Sequence, residues 1–223
     1  MLEEASKLIE FKETPGNLDR AIELLERLMV EQPDKDIIRG KLSHAFFYKG
    51  FFAPEGSKQR AAFFERGMDY GKQATTLNRR AVYGNFWYAS NLGMFGLCRG
   101  IMASLRSIDP MRRAMEVVLQ ENERFFFAGP HRALGRLYHQ APGWPVSIGS
   151  KTKAVDHLER GVELSPAFFC NRIYLAEFLL DIGKKAEARR HLEFVVSTPV
   201  NPAHQKEDGD YQRLAQRLLD KIL

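Results

Sequence analysis

The chain has 223 residues, enough to bury a substantial core, with 44% hydrophobic and 27% charged residues, as in an ordinary globular protein. No run approaches 18 uninterrupted apolar residues, which excludes a transmembrane helix of ordinary length, and two cysteines are too few for a disulfide framework or a cysteine metal cluster. The net charge of +5 is unevenly placed: residues 57–140 carry 13 Lys/Arg against 6 Asp/Glu, either a solvated basic face or a surface for an acidic partner.

Taken in chain order, the predicted elements are all helical. Residues 2–12 read as a short helix without the basic start and apolar core of a secretory leader, so a cytoplasmic protein is expected unless a leader has been removed. Pro15-Gly16 marks a turn, and Asn17 is expected to cap a helix to Gln32. A helix over 35–50, a loop at 51–56 and a long helix from Ser57 to Asn78 follow. Residues 82–105 are helical but hold four glycines, which implies tight packing or an internal break. Asp109-Pro110 reads as a cap followed by a first-turn proline. Gly129-Pro130 opens a helix to Gln140, and helices at 150–164, 168–182, 184–197 and 207–222 complete five hairpins with a C-terminal cap. No strand pattern is present.

One spacing recurs. Ala21, Leu25, Leu28 and Pro33 are matched by Ala154, Leu158, Gly161 and Pro166, and by Ala188, Leu192, Val195 and Pro199 with the proline one place early. A small residue with apolar ones at i+4 and i+7 makes one helical stripe, which a proline then ends. The stripe needs a partner helix, and Leu134-Gly135-Tyr138 and Leu175-Ala176-Leu179 supply the complementary signal. This spacing resembles the second helix of a tetratricopeptide repeat. It predicts an all-α, tetratricopeptide-like α-α superhelix, read as a single domain over 1–223.

Chemical motifs are weak. Gly149-Ser150-Lys151-Thr152 lacks the glycines of a phosphate loop. No two of the six histidines stand at i, i+4, and no nucleophile elbow occurs. No enzyme, metal or cofactor is expected. Cys98 and Cys170 both lie in apolar helical patterns and read as buried free thiols. The runs Phe46-Phe47-Tyr48, Phe63-Phe64 and Phe125-Phe126-Phe127 exceed one helical stripe and imply either core packing between hairpins or a lined apolar groove.

In a stack of this kind the first helix of each hairpin lines the concave face. Aligning Leu92-Gly93 with Leu134-Gly135 makes Trp87, Ser90, Asn91, Met94 and Gly129, Arg132, Arg136, His139 groove-facing, with Cys170, Ile173, Glu177 and Asp181 on the next hairpin. Arg132 is expected to hold an acidic group, either from a ligand or from Glu177. Gly135 and Ala154 lie 19 apart, against 12 for Ala176 and Ala188, so residues 141–149 are an inserted loop. Trp144 in this loop is expected to fold over the groove as a lid; the alternative is that it projects towards a partner.

The runs Phe86-Trp87-Tyr88-Ala89-Ser90-Asn91-Leu92-Gly93 and Ala128-Gly129-Pro130-His131-Arg132-Ala133-Leu134-Gly135-Arg136-Leu137-Tyr138, followed by Ala141-Pro142, resemble the T component of tripartite ATP-independent periplasmic (TRAP) transporters. The resemblance spans roughly 80–197. It implies an all-helical, non-enzymatic subunit with a cavity for a small organic or lipid-like ligand, hydrophobic or acidic. It also implies a periplasmic location and a protein partner, the solute-binding subunit of the transporter. Tyr138 joins the site residues through this motif. The rival reading is a cytoplasmic tetratricopeptide scaffold that holds an extended peptide on its concave face. Neither reading involves nucleic acid, and self-association stays open in both.

Overall fold

The computed structural model describes residues 1–222. Among them the chain forms eleven α-helices and one short 3-10 turn, and they fall into two compact units, residues 1–122 and 123–223.

The first unit contains α1 (Leu2–Glu10), α2 (Asn17–Glu31), α3 (Asp36–Phe52), α4 (Lys58–Leu77), α5 (Val82–Arg99) and α6 (Ile101–Glu121), packed as the pairs α1/α2, α3/α4 and α5/α6. The predicted stripe on α2 is fully internal, with Ala21, Leu25 and Leu28 all buried. The aromatic runs of α3 and α4 form the core of the unit. Phe46, Tyr48 and Phe64 are buried, and Phe47 packs on Phe64 with ring centroids 5.9 Å apart. A Cβ at Gly71 would lie 2.7 Å from the Tyr88 Cα, so only glycine lets α4 approach α5 this closely. Ser57 caps α4 as predicted, accepting from the Arg60 amide at 3.1 Å.

Two expectations change here, and a third is decided between its alternatives. Asn17 is the first residue of α2 rather than its cap; Gly16, at φ +84°, turns the chain, and the Asn17 amide donates back to the Phe11 carbonyl. The glycine-rich segment does break, at Gly100 with φ +94°, so α6 starts at Ile101. Asp109-Pro110 therefore lies inside α6 instead of opening it. Pro110 is exposed there, and the Asp109 carboxylate binds Arg112 and Arg113 at 2.7 and 2.6 Å.

The second unit contains α7 (Phe125–Gln140), α8 (Lys151–Leu164), α9 (Phe169–Asp181), α10 (Lys185–Ser197) and α11 (Gln205–Asp220). The pairs are α7/α8 and α9/α10, and α11 closes the end against α9 and α10. Both stripes are buried: Ala154, Leu158 and Gly161 on α8, Ala188, Leu192 and Val195 on α10. Leu134, Gly135, Leu175, Ala176 and Leu179 face them from α7 and α9. A Cβ at Gly135 would meet the Leu158 side chain at 2.7 Å, which confirms it as a close crossing. Phe126, Phe127 and Ala128 have left-handed backbone, and the right-handed run begins at Gly129 as Gly129-Pro130 predicts. Ser150 caps α8 through the Lys153 amide.

Candidate functional site

In the first unit the predicted groove residues of α5 turn inward. α5 packs against α3, α4 and α6, and three neighbours leave it little free face. Trp87 is 1% exposed and stacks on His44 at 3.7 Å with an interplanar angle of 12°. Asn91 is fully buried; its amide donates to the Ser43 carbonyl and hydroxyl and to the Trp87 carbonyl, at 2.9, 3.1 and 2.8 Å. Ser90 is half-buried and bonds its own helix at Phe86 O, and Met94 is half-buried. Trp87 and Asn91 are thus core residues, not groove residues. Burial also acts on His44, whose pKa is pushed well below the ordinary imidazole range, with Lys12 and Lys41 adding to the effect.

In the second unit the predicted residues come together on one face. Arg132, Arg136 and His139 stand one turn apart along α7, at i, i+4 and i+7, opposite α9. Arg132 does not reach Glu177. Its guanidinium is nearly buried, donating to Asn171 Oδ1 at 3.0 Å and to the Phe127 carbonyl at 3.1 Å. It also lies over the Phe168 ring at 4.8 Å. Glu177 belongs to Arg136, one turn further along, at 2.6 Å, and the Arg136 guanidinium also lies 4.5 Å above the Tyr174 ring. His139 Nε2 meets Asp181 at 2.7 Å, and the imidazole stands edge-on to Phe178. The Arg136–Glu177 pair keeps a quarter of each side chain in solvent, and Asp181 is largely exposed.

α11 adds to this face. Cys170, buried on α9, lies among Tyr174, Tyr211, Arg132 and Glu207. Burial pushes its thiol up; burial likewise raises the Tyr211 phenol, while the neighbouring Cys170 is the first cause for Tyr174. All three groups are neutral near pH 7, so the cluster supplies hydrogen bonds rather than a nucleophile or a base. Asn171, Tyr174 and Tyr211 were not among the sequence-predicted site residues. The one available signal was register: Asn171 lies on α9 one turn before the Leu175-Ala176 crossing.

Tyr138 turns away from this face. It is buried, stacks on His157 of α8 at 5.8 Å and lies under the Lys153 ammonium. The inserted loop at 141–149 is closed by backbone bonds, Gly149 N to Pro142 O at 2.8 Å and Ser150 N to Tyr138 O at 3.0 Å. It holds Trp144 outward, 89% exposed, so the expected lid is not formed. Cys98, expected to be buried, is exposed too, one residue before α5 ends at Arg99.

No protein-family model and no curated protein matches the chain. Among solved structures it is similar to a thermophilic TPR protein from Thermus thermophilus, with a TM-score of 0.69 over 98% of this chain and 99% of that one, at 17% identity. It is also similar to MamA, with a TM-score of 0.55 over 92% and 95% of the two chains, at 15% identity. At such identities the likeness is one of fold. The protein is an all-α, tetratricopeptide-like helical-repeat protein of five hairpins with a C-terminal helix. Among its described residues no helix is long and apolar enough to cross a membrane.

Proposed function

We propose that the protein is a non-enzymatic interaction scaffold that holds an extended segment of a protein partner along α7 and α9 of its second unit. One observation carries this reading. Arg136, Glu177, His139 and Asp181 form a row of hydrogen-bonding groups along two successive first helices, with Arg136 and Glu177 a quarter exposed, His139 nearly buried and Asp181 largely exposed. An extended peptide presents backbone donors and acceptors at regular intervals and needs such a row. In the first unit the α5 positions that the sequence assigned to a groove, Trp87 and Asn91, are sealed in the core. Trp144 adds a rigid aromatic contact for the same partner beyond the end of α7.

The fold supports this scaffold reading. The TRAP-subunit reading rests on motif resemblance, and the packing of Trp87 against His44 removes space that its ligand cavity would use. Selection of peptides from a display library on the full chain tests the proposal. A selected peptide should lose about 5–30-fold in affinity on Arg136→Ala, as for a central interface contact. Failure to select any peptide, or equal binding by Arg136→Ala, overturns it.

A further inference from the structure

The turn between α5 and α6 carries an apolar surface that the scaffold reading does not use. Leu97, Ile101 and Met102 are 65, 80 and 64% exposed and lie within six residues of one another. Val30 and Leu77, exposed elsewhere on the first unit, stand singly, which is ordinary for a protein surface. Three adjacent ones are not. Gly100, at φ +94° and with open space around its Cα, joins the two helices with no intervening loop. The three exposed side chains therefore lie together around the tip formed by the two helix ends.

The chain on either side of the tip carries charge of one sign. Residues 70–108 contain five Lys/Arg and no Asp or Glu. Two of the five, Arg99 and Arg106, flank the tip and are exposed. Arg99 meets Glu65 of α4 only loosely, at 3.9 Å, and its guanidinium lies over the Phe95 ring. We propose that this tip docks the protein on an anionic lipid surface, with Leu97, Ile101 and Met102 entering the boundary between headgroups and acyl chains and Arg99 and Arg106 meeting the headgroups.

Two features favour lipid over other occupants. Three exposed apolar side chains around a loop-free turn suit a fluid medium that closes around them, whereas a folded partner would need a matching pocket. A second copy of the chain would bring Arg99 and Arg106 against their own equivalents, which like-charge repulsion opposes. An acidic bilayer satisfies both the apolar and the basic element of the tip, and the basic contribution falls as salt is added.

Cosedimentation of the full chain with extruded vesicles tests this, comparing phosphatidylcholine alone with a phosphatidylcholine–phosphatidylserine mixture. Binding is expected to the mixed vesicles, weakened by salt, and lowered at least about tenfold by Arg99→Glu with Arg106→Glu. A Leu97→Ser, Ile101→Ser, Met102→Ser variant should lose binding while its circular dichroism and melting temperature stay unchanged, because the replaced groups are exposed. A solvatochromic probe on Cys98, the exposed cysteine, should shift to the blue on the mixed vesicles. Absence of binding to anionic vesicles, or binding that survives both variants, overturns the proposal. So does concentration-dependent dimerisation that requires the apolar triplet without vesicle binding, which would assign the tip to self-association.

Discussion

Arg132 donates from Nη1 to Asn171 Oδ1 at 3.0 Å, and both side chains are buried between α7 and α9. The pair holds a strained piece of chain. Phe126, Phe127 and Ala128 have φ of 46, 59 and 57°, a left-handed turn that costs L-residues roughly 1–2 kcal/mol each. Arg132 Nη1 bonds the carbonyl of Phe127, and Asn171 Nδ2 bonds the same oxygen at 3.1 Å. Asn171 also reaches the Gly161 carbonyl at 2.9 Å, so one amide ties α7, α8 and α9 together.

Asn171→Ala should accordingly destabilise the second unit by about 2–4 kcal/mol, since a buried guanidinium loses its acceptor and the carbonyls of Phe127, Gly161 and Ser165 each lose a donor. Arg132→Ala should cost about 2–3 kcal/mol, and the double variant less than the sum, because the two residues share one network. Urea denaturation measures all three. Additive losses, or losses within experimental error of zero, would show that the pair does not hold the turn.

Two glycines on facing helices should respond in opposite directions. At Gly135 a Cβ would lie 2.7 Å from Leu158 Cγ and 3.1 Å from its backbone nitrogen, and only the side chain can give way. Gly135→Ala should cost about 1–3 kcal/mol through overpacking. At Gly161 the nearest atoms to a new Cβ are 3.7 Å away, ordinary van der Waals contact, in the interior of α8. Gly161→Ala should stabilise by about 0.5–1 kcal/mol, the helix-propensity difference. Thermal melts of the two variants separate these outcomes; equal effects would mean that the α7/α8 register is wrong.

That contrast marks what the sequence carries. Ala154, Leu158 and Gly161 repeat the Ala21 spacing, and a repeated stripe can be buried in only one way, so the hairpins and their inner faces are legible. Register between successive hairpins is not. Arg132 and Arg136 both point from α7 towards α9, and which of them meets Glu177 depends on how far α9 slides along α7, a shift of one helical turn. Local signals also fail where a stronger one stands nearby. Asp109-Pro110 resembles a helix start, but Gly100 has already ended α5, and α6 runs on through Pro110 despite the lost N–H bond and the crowding of its ring against the carbonyl one turn back. Trp87 and Asn91 occupy the positions expected of a groove, yet α5 has neighbours on three sides, which is a property of the stack and not of any one helix.

His44 makes stability dependent on pH. Burial, with the positive charges of Lys12 and Lys41, lowers its folded-state pKa well below its value near 6.5 in the unfolded chain. Its Nδ1 meets the Tyr83 hydroxyl at 2.7 Å, and its ring stacks on Trp87. Below about pH 6.5 the unfolded chain takes up a proton that the folded chain refuses, so stability is present above that pH and declines as the pH falls. Burial lowers His131 and His191 in the same direction. Melting temperature should therefore drop between pH 7 and pH 5, and His44→Gln should flatten the slope. An unchanged slope in the variant would mean that His44 is not a source of the acid sensitivity.

Trp144 separates stability from binding. Its side chain is 89% exposed on a loop with no charged residue among its nine positions, and the loop is pinned at both ends by backbone bonds rather than by the indole. Gly149 matters to that closure: a Cβ there would lie 2.1 Å from the Ala141 carbonyl oxygen, a fixed backbone atom. Trp144→Ala should thus leave stability unchanged to within about 0.5 kcal/mol, as for an exposed surface site. Gly149→Ala should disrupt the loop and lower the melting temperature. If Trp144 is a contact for the protein partner, both variants weaken binding of that partner, whereas only Gly149→Ala weakens the fold. An aromatic anchor at an interface contributes about 2 kcal/mol or more, so Trp144→Ala should raise the dissociation constant by about 30-fold. Calorimetric titration with the partner checks this, alongside a thermal melt of each variant. Wild-type affinity in a stably folded Trp144→Ala protein would remove the loop from the interface and leave the face of α7 and α9 to account for binding alone.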